Sequence, residues 1–209
     1  METQSIINIF FAIVFVGYVV WSRNSTFKRV VCKRLDVVDN RGVVRISAFT
    51  HPDPDDAASV TLRDKNGVMR IMAATLDDVS ADMTWFDKDG KVRISVATLE
   101  VGLASVGLFD NNDKLRINAT TAKNGSATVM LFDNNKNIRI DASTEANGSA
   151  SVTLRDKDHH NRICASTDCD GTASVTLKDN DGKSRISAVT DDVGDVYLPT
   201  GDLNPPKKP

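Results

Sequence analysis

Seven arginines, Arg45, Arg70, Arg93, Arg116, Arg139, Arg162 and Arg185, recur every 23 residues after a first interval of 25. Seven aspartates, Asp39, Asp64, Asp87, Asp110, Asp133, Asp156 and Asp179, keep the same spacing. The longer first interval holds an extra His51-Pro52-Asp53-Pro54 loop. A period of this length marks serial supersecondary units that cannot bury their apolar side alone, so neighbouring units must pair or stack.

The shared pattern is Ala-x-Val-x-Leu-x-Asp-x-x-Gly-x-x-Arg-Ile-x-Ala-x-Thr, clearest at Ala127–Thr144. It contains two segments that alternate with period 2, the mark of half-buried strands. Ala150, Val152 and Leu154 alternate with Ser151, Thr153 and Arg155, and Ile186 and Ala188 with Arg185, Ser187 and Val189. Asp-Lys-Asn-Gly at 64–67 and Asp-Lys-Asp-Gly at 87–90 place glycine where a turn needs positive φ, and aspartate where its carboxylate satisfies turn amides. Ala-Lys-Asn-Gly at 122–125 and Ala-Asn-Gly at 146–148 form the second kind of turn.

Aromatic residues make up only 6% of the chain, which favours closely apposed β layers of Val, Ile, Leu and Ala over a bulky interior. Two all-β arrangements satisfy the pattern: a two-strand β-solenoid and a folded antiparallel β-meander. The solenoid is favoured because each coil would bury Val and Leu against Ile and Ala, whereas an open meander leaves a whole apolar face to water. Against it stand columns of like charge, Arg over Arg and Asp over Asp, about 4.8 Å apart. As a hairpin, a three-residue loop at Lys123-Asn124-Gly125 sets Thr121 against Ala127 and Ala119 against Val129. The Asp-x-x-Gly turn keeps the faces in register only as a four-residue loop, with Leu62 facing Met69 and Val60 facing Ile71.

The stretch Leu35-Asp-Val-Val-Asp-Asn-Arg-Gly-Val-Val-Arg45 and its copies resemble a group of largely uncharacterised bacterial proteins, anchored or exported, built of tandem Val-Val-Asp-x-x-Gly-x-x-Arg repeats. The resemblance spans residues 31 to about 198. It implies a β-repeat domain behind an anchor or signal and brings no activity with it.

Ile6–Trp21 is uncharged and predominantly apolar, near the minimum length of a membrane span. Phe10, Phe11 and Phe15 lie within it, and Tyr18 and Trp21 at its end suit the headgroup zone. Met-Glu-Thr-Gln offers no basic n-region, so a retained transmembrane helix is expected rather than a cleaved signal. Arg23, Lys28, Arg29, Lys33 and Arg34 follow the span, which predicts a cytoplasmic repeat domain and contact with anionic lipid headgroups. The expected domains are an anchor over 1–22, a basic linker over 23–34, seven repeats over 35–198 and an extended Pro/Lys-rich tail over 199–209.

A formal net charge of −2 gives no basic field to recommend nucleic acid as a partner. Cys32, Cys164 and Cys169 make no disulfide framework. His159, His160, Cys164 and Cys169 match no zinc spacing, and the Asp-rich turns lack the distal glutamate of a calcium loop. No catalytic constellation, cofactor motif or metal motif is present, so the expected role is non-enzymatic. The irregular column is the residue before the turn aspartate in the second to seventh repeats: Arg63, Phe86, Phe109, Phe132, Arg155 and Lys178. Phe86, Phe109 and Phe132, rimmed by Arg93, Arg116 and Arg139, are the candidate partner-binding band, the competing reading being that the rings only stack and stabilise the ladder. The expected function is a membrane-anchored accessory subunit docking onto other subunits of a membrane assembly. The alternative is an exported repeat protein that self-associates.

Overall fold

The computed structural model describes residues 32–50, 57–76, 80–190, 193 and 195–197. The backbone divides into a unit over Met1–Lys33 and a unit over Arg34–Pro209. The expected anchor Ile6–Trp21, most of the basic linker and the tail over 199–209 lie outside the described residues. Among the described residues no helix is long and apolar enough to cross a membrane.

Alternating sequence becomes alternating strand. The chain runs β1 (Arg34–Val38), β2 (Val44–Thr50), β3 (Ala58–Arg63), β4 (Met69–Thr75), β5 (Ala81–Phe86), β6 (Val92–Thr98), β7 (Ala104–Phe109) and β8 (Leu115–Thr121). It continues through β9 (Ala127–Phe132), β10 (Ile138–Thr144), β11 (Ala150–Arg155), β12 (Asn161–Thr167), β13 (Ala173–Lys178), β14 (Ser184–Thr190) and the two-residue β15 (Val196–Tyr197). These strands form one sheet in sequence order, each antiparallel to the next.

This corrects the favoured solenoid, and the sheet is open rather than folded over. The reason lies in the turns. Except in the β2–β3 and β14–β15 links, three residues carry the chain round and the flanking residues bond each other directly, as in Asp64 N–H to Val68 O at 2.9 Å and Leu99 N–H to Leu103 O at 2.8 Å. Such closures pair consecutive strands and leave no arc to reach a second layer. The like-charge columns are relieved as well, because a meander puts an intervening strand between successive Asp or Arg positions.

The second turn has the expected register, with Thr121 opposite Ala127 and Ala119 opposite Val129. The Asp turn does not. Leu62 faces Ile71 and Val60 faces Ala73, with a β-bulge where Arg63 meets Met69. The loop is three residues, and the fourth is absorbed as an extra strand residue that keeps both faces intact. Corresponding bulges recur at Phe86/Val92, Phe109/Leu115, Arg155/Asn161 and Lys178/Ser184.

Two faces of different chemistry result. On the apolar face one row runs Ile46, Leu62, Ile71, Trp85, Ile94, Leu108, Ile117, Leu131, and the next Ala48, Val60, Ala73, Met83, Val96, Val106, Ala119, Val129. On the polar face the central row runs Asp36, Ser47, Thr61, Met72, Thr84, Ser95. A single layer has no enclosed core: among the described residues the buried ones are Ala57, Gly107 and the small polar Ser47, Ser59, Thr61, Ser80 and Thr84. Thr61 and Thr84 both pair with the longer Met72, beneath which hydroxyl-sized side chains lose their solvent. Tyr197 pairs with Val189 and Val196 with Thr190, so the ladder continues into a short edge strand where the decay of the repeat after Asp195 predicts none.

Candidate functional site

The Asp turns are built by their own carboxylates. Asp64 Oδ1 accepts from Asn66 N–H at 2.8 Å and Val68 N–H at 3.1 Å, and Asp110 Oδ1 does the same with Asn112 and Lys114. The amides of Asn66 and Asn112 are the main reason that Asp64 and Asp110 sit below the usual carboxylate range. For Asp87 and Asp133 the leading donors are the amides of Lys91 and Asn137. For Asp39, Asp156 and Asp179 partial desolvation is the largest influence and acts upward, but the turn amides and nearby cations together outweigh it.

Five of the seven repeat arginines pair with their own turn carboxylate: Arg45 3.5 Å from Asp39, Arg70 3.8 Å from Asp64, Arg116 3.8 Å from Asp110, Arg162 3.5 Å from Asp156, and Arg185 with Asp179. The arginine then reaches forward into the next repeat. Arg93 Nη1 donates to Asn111 Oδ1 at 2.6 Å, Arg162 Nη1 to Asn180 Oδ1 at 2.5 Å, and Arg116 Nη1 to Asn134 Oδ1. Lys91 and Lys114 add bonds from Nζ to the carbonyls of Asn111, at 2.7 Å, and Asn134. The arginine column is thus an inter-repeat seam, and the asparagines that receive it were not singled out from the sequence. Their signal was the residue after each turn aspartate, which is Asn at 40, 111, 134 and 180 and Lys at 65, 88 and 157.

Arg139 faces one of the lysine turns. Its Nη1 is buried with no hydrogen-bond partner. One residue on from the Ile140–Leu154 pair it also meets Arg155, whose own guanidinium is 3.6 Å from Asp141. Replacing Lys157 by asparagine supplies the acceptor that Arg93, Arg116 and Arg162 enjoy. The expected gain is about 1 kcal/mol, read as a higher urea midpoint with unchanged slope.

The structure brings Phe86, Phe109 and Phe132 together with Arg93, Arg116 and Arg139 on the polar face. Next along the ladder from Ile94–Leu108 and Ile117–Leu131, Arg93 neighbours Phe109 and Arg116 neighbours Phe132. All three rings are half-buried, pairing with the bulge residues Val92, Leu115 and Ile138. Phe109 also lies over Gly107: a Cβ there would come within 3.1 Å of its ring and 3.2 Å of Leu115 Cδ1. The ring fills space that Thr61, Thr84 and Thr153 occupy in other repeats. Among the described residues the cation–π contact is Arg34 over Phe49, at 5.7 Å, and Arg34 Nε also bonds Asp36 at 2.8 Å. Lys33 is exposed, while Arg23, Lys28 and Arg29 of the expected headgroup set, like Phe10, Phe11, Phe15, Tyr18 and Trp21, lie outside the described residues.

The larger apolar surface is on the opposite face. Val60 is 44% exposed, Val106 40%, Val129 45%, Val152 40% and Val175 46%, high values for side chains in the middle of strands. Among the described strand residues from Ile46 to Thr190 this face carries no charge. Over β9 to β14 it forms a groove of about 690 Å³, lined by Val129, Ala142, Val152, Ala165, Val175, Ala188 and their neighbours.

His159 takes positive φ (68°) at the third loop position, and His160 Nδ1 is 3.5 Å from Asp156. Cys164 is in β12 and Cys169 in the turn that follows it, and both are free thiols. Among the described residues no group of three or more His, Cys, Asp or Glu is placed to hold a metal.

No family model matches the chain, and no curated protein does. Among solved structures it is similar to the SAS-4 (dCPAP) TCP domain of Drosophila melanogaster, solved in complex with a Proline Rich Motif of Ana2 (dSTIL). Identity is 11% and the TM-score 0.46, over 83% of this chain and 96% of that one, a likeness too distant to bear on function.

Proposed function

We propose that the protein is a non-enzymatic, membrane-anchored structural subunit whose β-sheet works as a platform for protein contact. Ile6–Trp21 holds it in the bilayer, Arg23, Lys28, Arg29, Lys33 and Arg34 meet anionic headgroups, and the repeats stand on the cytoplasmic side. The observation that carries the reading is the half-exposed apolar face, uncharged among the described strand residues, whose extent of roughly 1,000 Å² exceeds the few hundred Å² that a monomeric soluble protein ordinarily exposes. The polar face, where Phe86, Phe109 and Phe132 are half-buried and Arg93 and Arg116 already have partners, is the second surface open to contact.

The test compares single cysteines in a background with Cys32, Cys164 and Cys169 changed to serine. In native membranes Val152→Cys, on the apolar face, reacts far more slowly with a water-soluble maleimide than Asp158→Cys in its exposed turn. Equal rates overturn the contact reading. In intact cells Asp158→Cys stays unlabelled by an impermeant maleimide until lysis, and labelling from outside overturns the cytoplasmic placement.

A further inference from the structure

We infer that the occupant of the apolar face is a second copy of this chain, the two sheets packing face to face as a β-sandwich. This rests on the contact reading above and names its partner.

The surface itself sets three requirements. First, a face whose polar side chains among the described strand residues are the row Thr50, Thr75, Thr98, Thr121, Thr144, Thr167, Thr190 and the indole of Trp85 accepts an occupant without charge. The polar face, with its Arg and Asp columns, cannot serve, whereas the apolar face of another copy can.

Second, the occupant must be broad. Thirteen strands from β2 to β14, at about 4.8 Å each and about 17 Å of strand length, give roughly 1,000 Å² per copy. Two copies bury roughly 2,000 Å², the size at which permanent homodimers begin. The chain's own apolar segment Ile6–Trp21 is too small for this: as a helix it would be about 24 Å long, against a face about 60 Å across.

Third, the relief must match. Along the middle row from β7 to β14, valine on each odd strand (Val106, Val129, Val152, Val175) alternates with alanine on each even strand (Ala119, Ala142, Ala165, Ala188). Ridges about 9.6 Å apart therefore alternate with furrows of equal spacing, twice the strand separation. A copy displaced by one strand sets its valines into the alanine furrows, and a two-fold axis makes the fit mutual. Two such sheets pack about 10 Å apart with their strand directions close to aligned.

The full chain in mild detergent is expected to sediment at twice its chain mass at micromolar concentration, and Val129→Glu with Val152→Glu to return it to one chain mass with an unchanged β circular-dichroism spectrum. Should the double variant lose its fold, the serine-background Val152→Cys chain decides: its maleimide reaction speeds up on dilution as the pair separates, while Asp158→Cys does not change. A single chain mass, with Val152→Cys reacting as fast as Asp158→Cys at every concentration, overturns the pairing. If Val152→Cys is nevertheless protected in native membranes, the contact reading stands and the face belongs to a different protein.

Discussion

Replacing Asp113, Lys136 and His159 together by glycine is expected to stabilise the sheet by about 2 kcal/mol and raise Tm by about 4–8 °C. These three residues occupy the third loop position with φ of 56°, 67° and 68°, where Gly42, Gly67, Gly90 and Gly182 stand in the other repeats. A Cβ in this region crowds its own backbone, and aspartate and histidine tolerate it better than lysine. Glycine removes that strain but loses more chain entropy on folding, so the net gain is smaller than the strain alone. No neighbouring group opposes the exchange, since at Gly42, Gly90 and Gly182 nothing lies within 4 Å of where a Cβ would stand. Calorimetric scans of the single and triple variants check it, with Lys136→Gly contributing more than Asp113→Gly or His159→Gly.

Acid is expected to unfold the sheet over a narrow range below about pH 4, followed by β circular dichroism and by the fluorescence of Trp85. All seven turn carboxylates, Asp39, Asp64, Asp87, Asp110, Asp133, Asp156 and Asp179, are held below their ordinary value in the folded chain. The folded state therefore binds protons less readily than the unfolded one. The stability that these groups supply is complete above the unfolded value and drains away as pH falls through the folded values. Protonation weakens the carboxylate as an acceptor for the turn amides and removes the charge facing the repeat arginine. Asp64→Asn and Asp110→Asn, which keep an acceptor but not the charge, should broaden and weaken this acid transition. An identical profile in those variants would contradict the assignment.

The strand content, the segregation of apolar and polar residues and the register of the second turn could all be taken from the residues alone, because period 2 fixes a face wherever alternation is unbroken. The Asp turn was misjudged because alternation cannot show where an extra residue is hidden. Met69 and Ile71 look like successive members of one face, yet the bulge sends Met69 to the other, beside Arg63. A comparison among the repeats carries the missing signal. Where the pre-turn residue is Phe86, Phe109 or Phe132, the bulge residue is Val92, Leu115 or Ile138; where it is Arg155 or Lys178, the bulge residue is Asn161 or Ser184. Arg63 opposite Met69 departs from the pattern; in the other repeats the matched polarity marks cross-strand partners. The preference for a solenoid came from expecting burial within one chain. In the structure each strand is satisfied by its neighbours in the plane, and the apolar face is left for another surface.

Strand order that follows chain order makes the molecule extensible. Removing residues 127–149 would join Ser126 to Ala150 and hand Thr121 from Ala127 to Ala150, an equivalent residue in an equivalent loop. Each 23-residue step lengthens or shortens the sheet by two strands, about 9.6 Å, and leaves every remaining pair as it was. The gene for such a protein can therefore change its reach by duplication without having to reinvent its fold, provided that whole units are gained or lost.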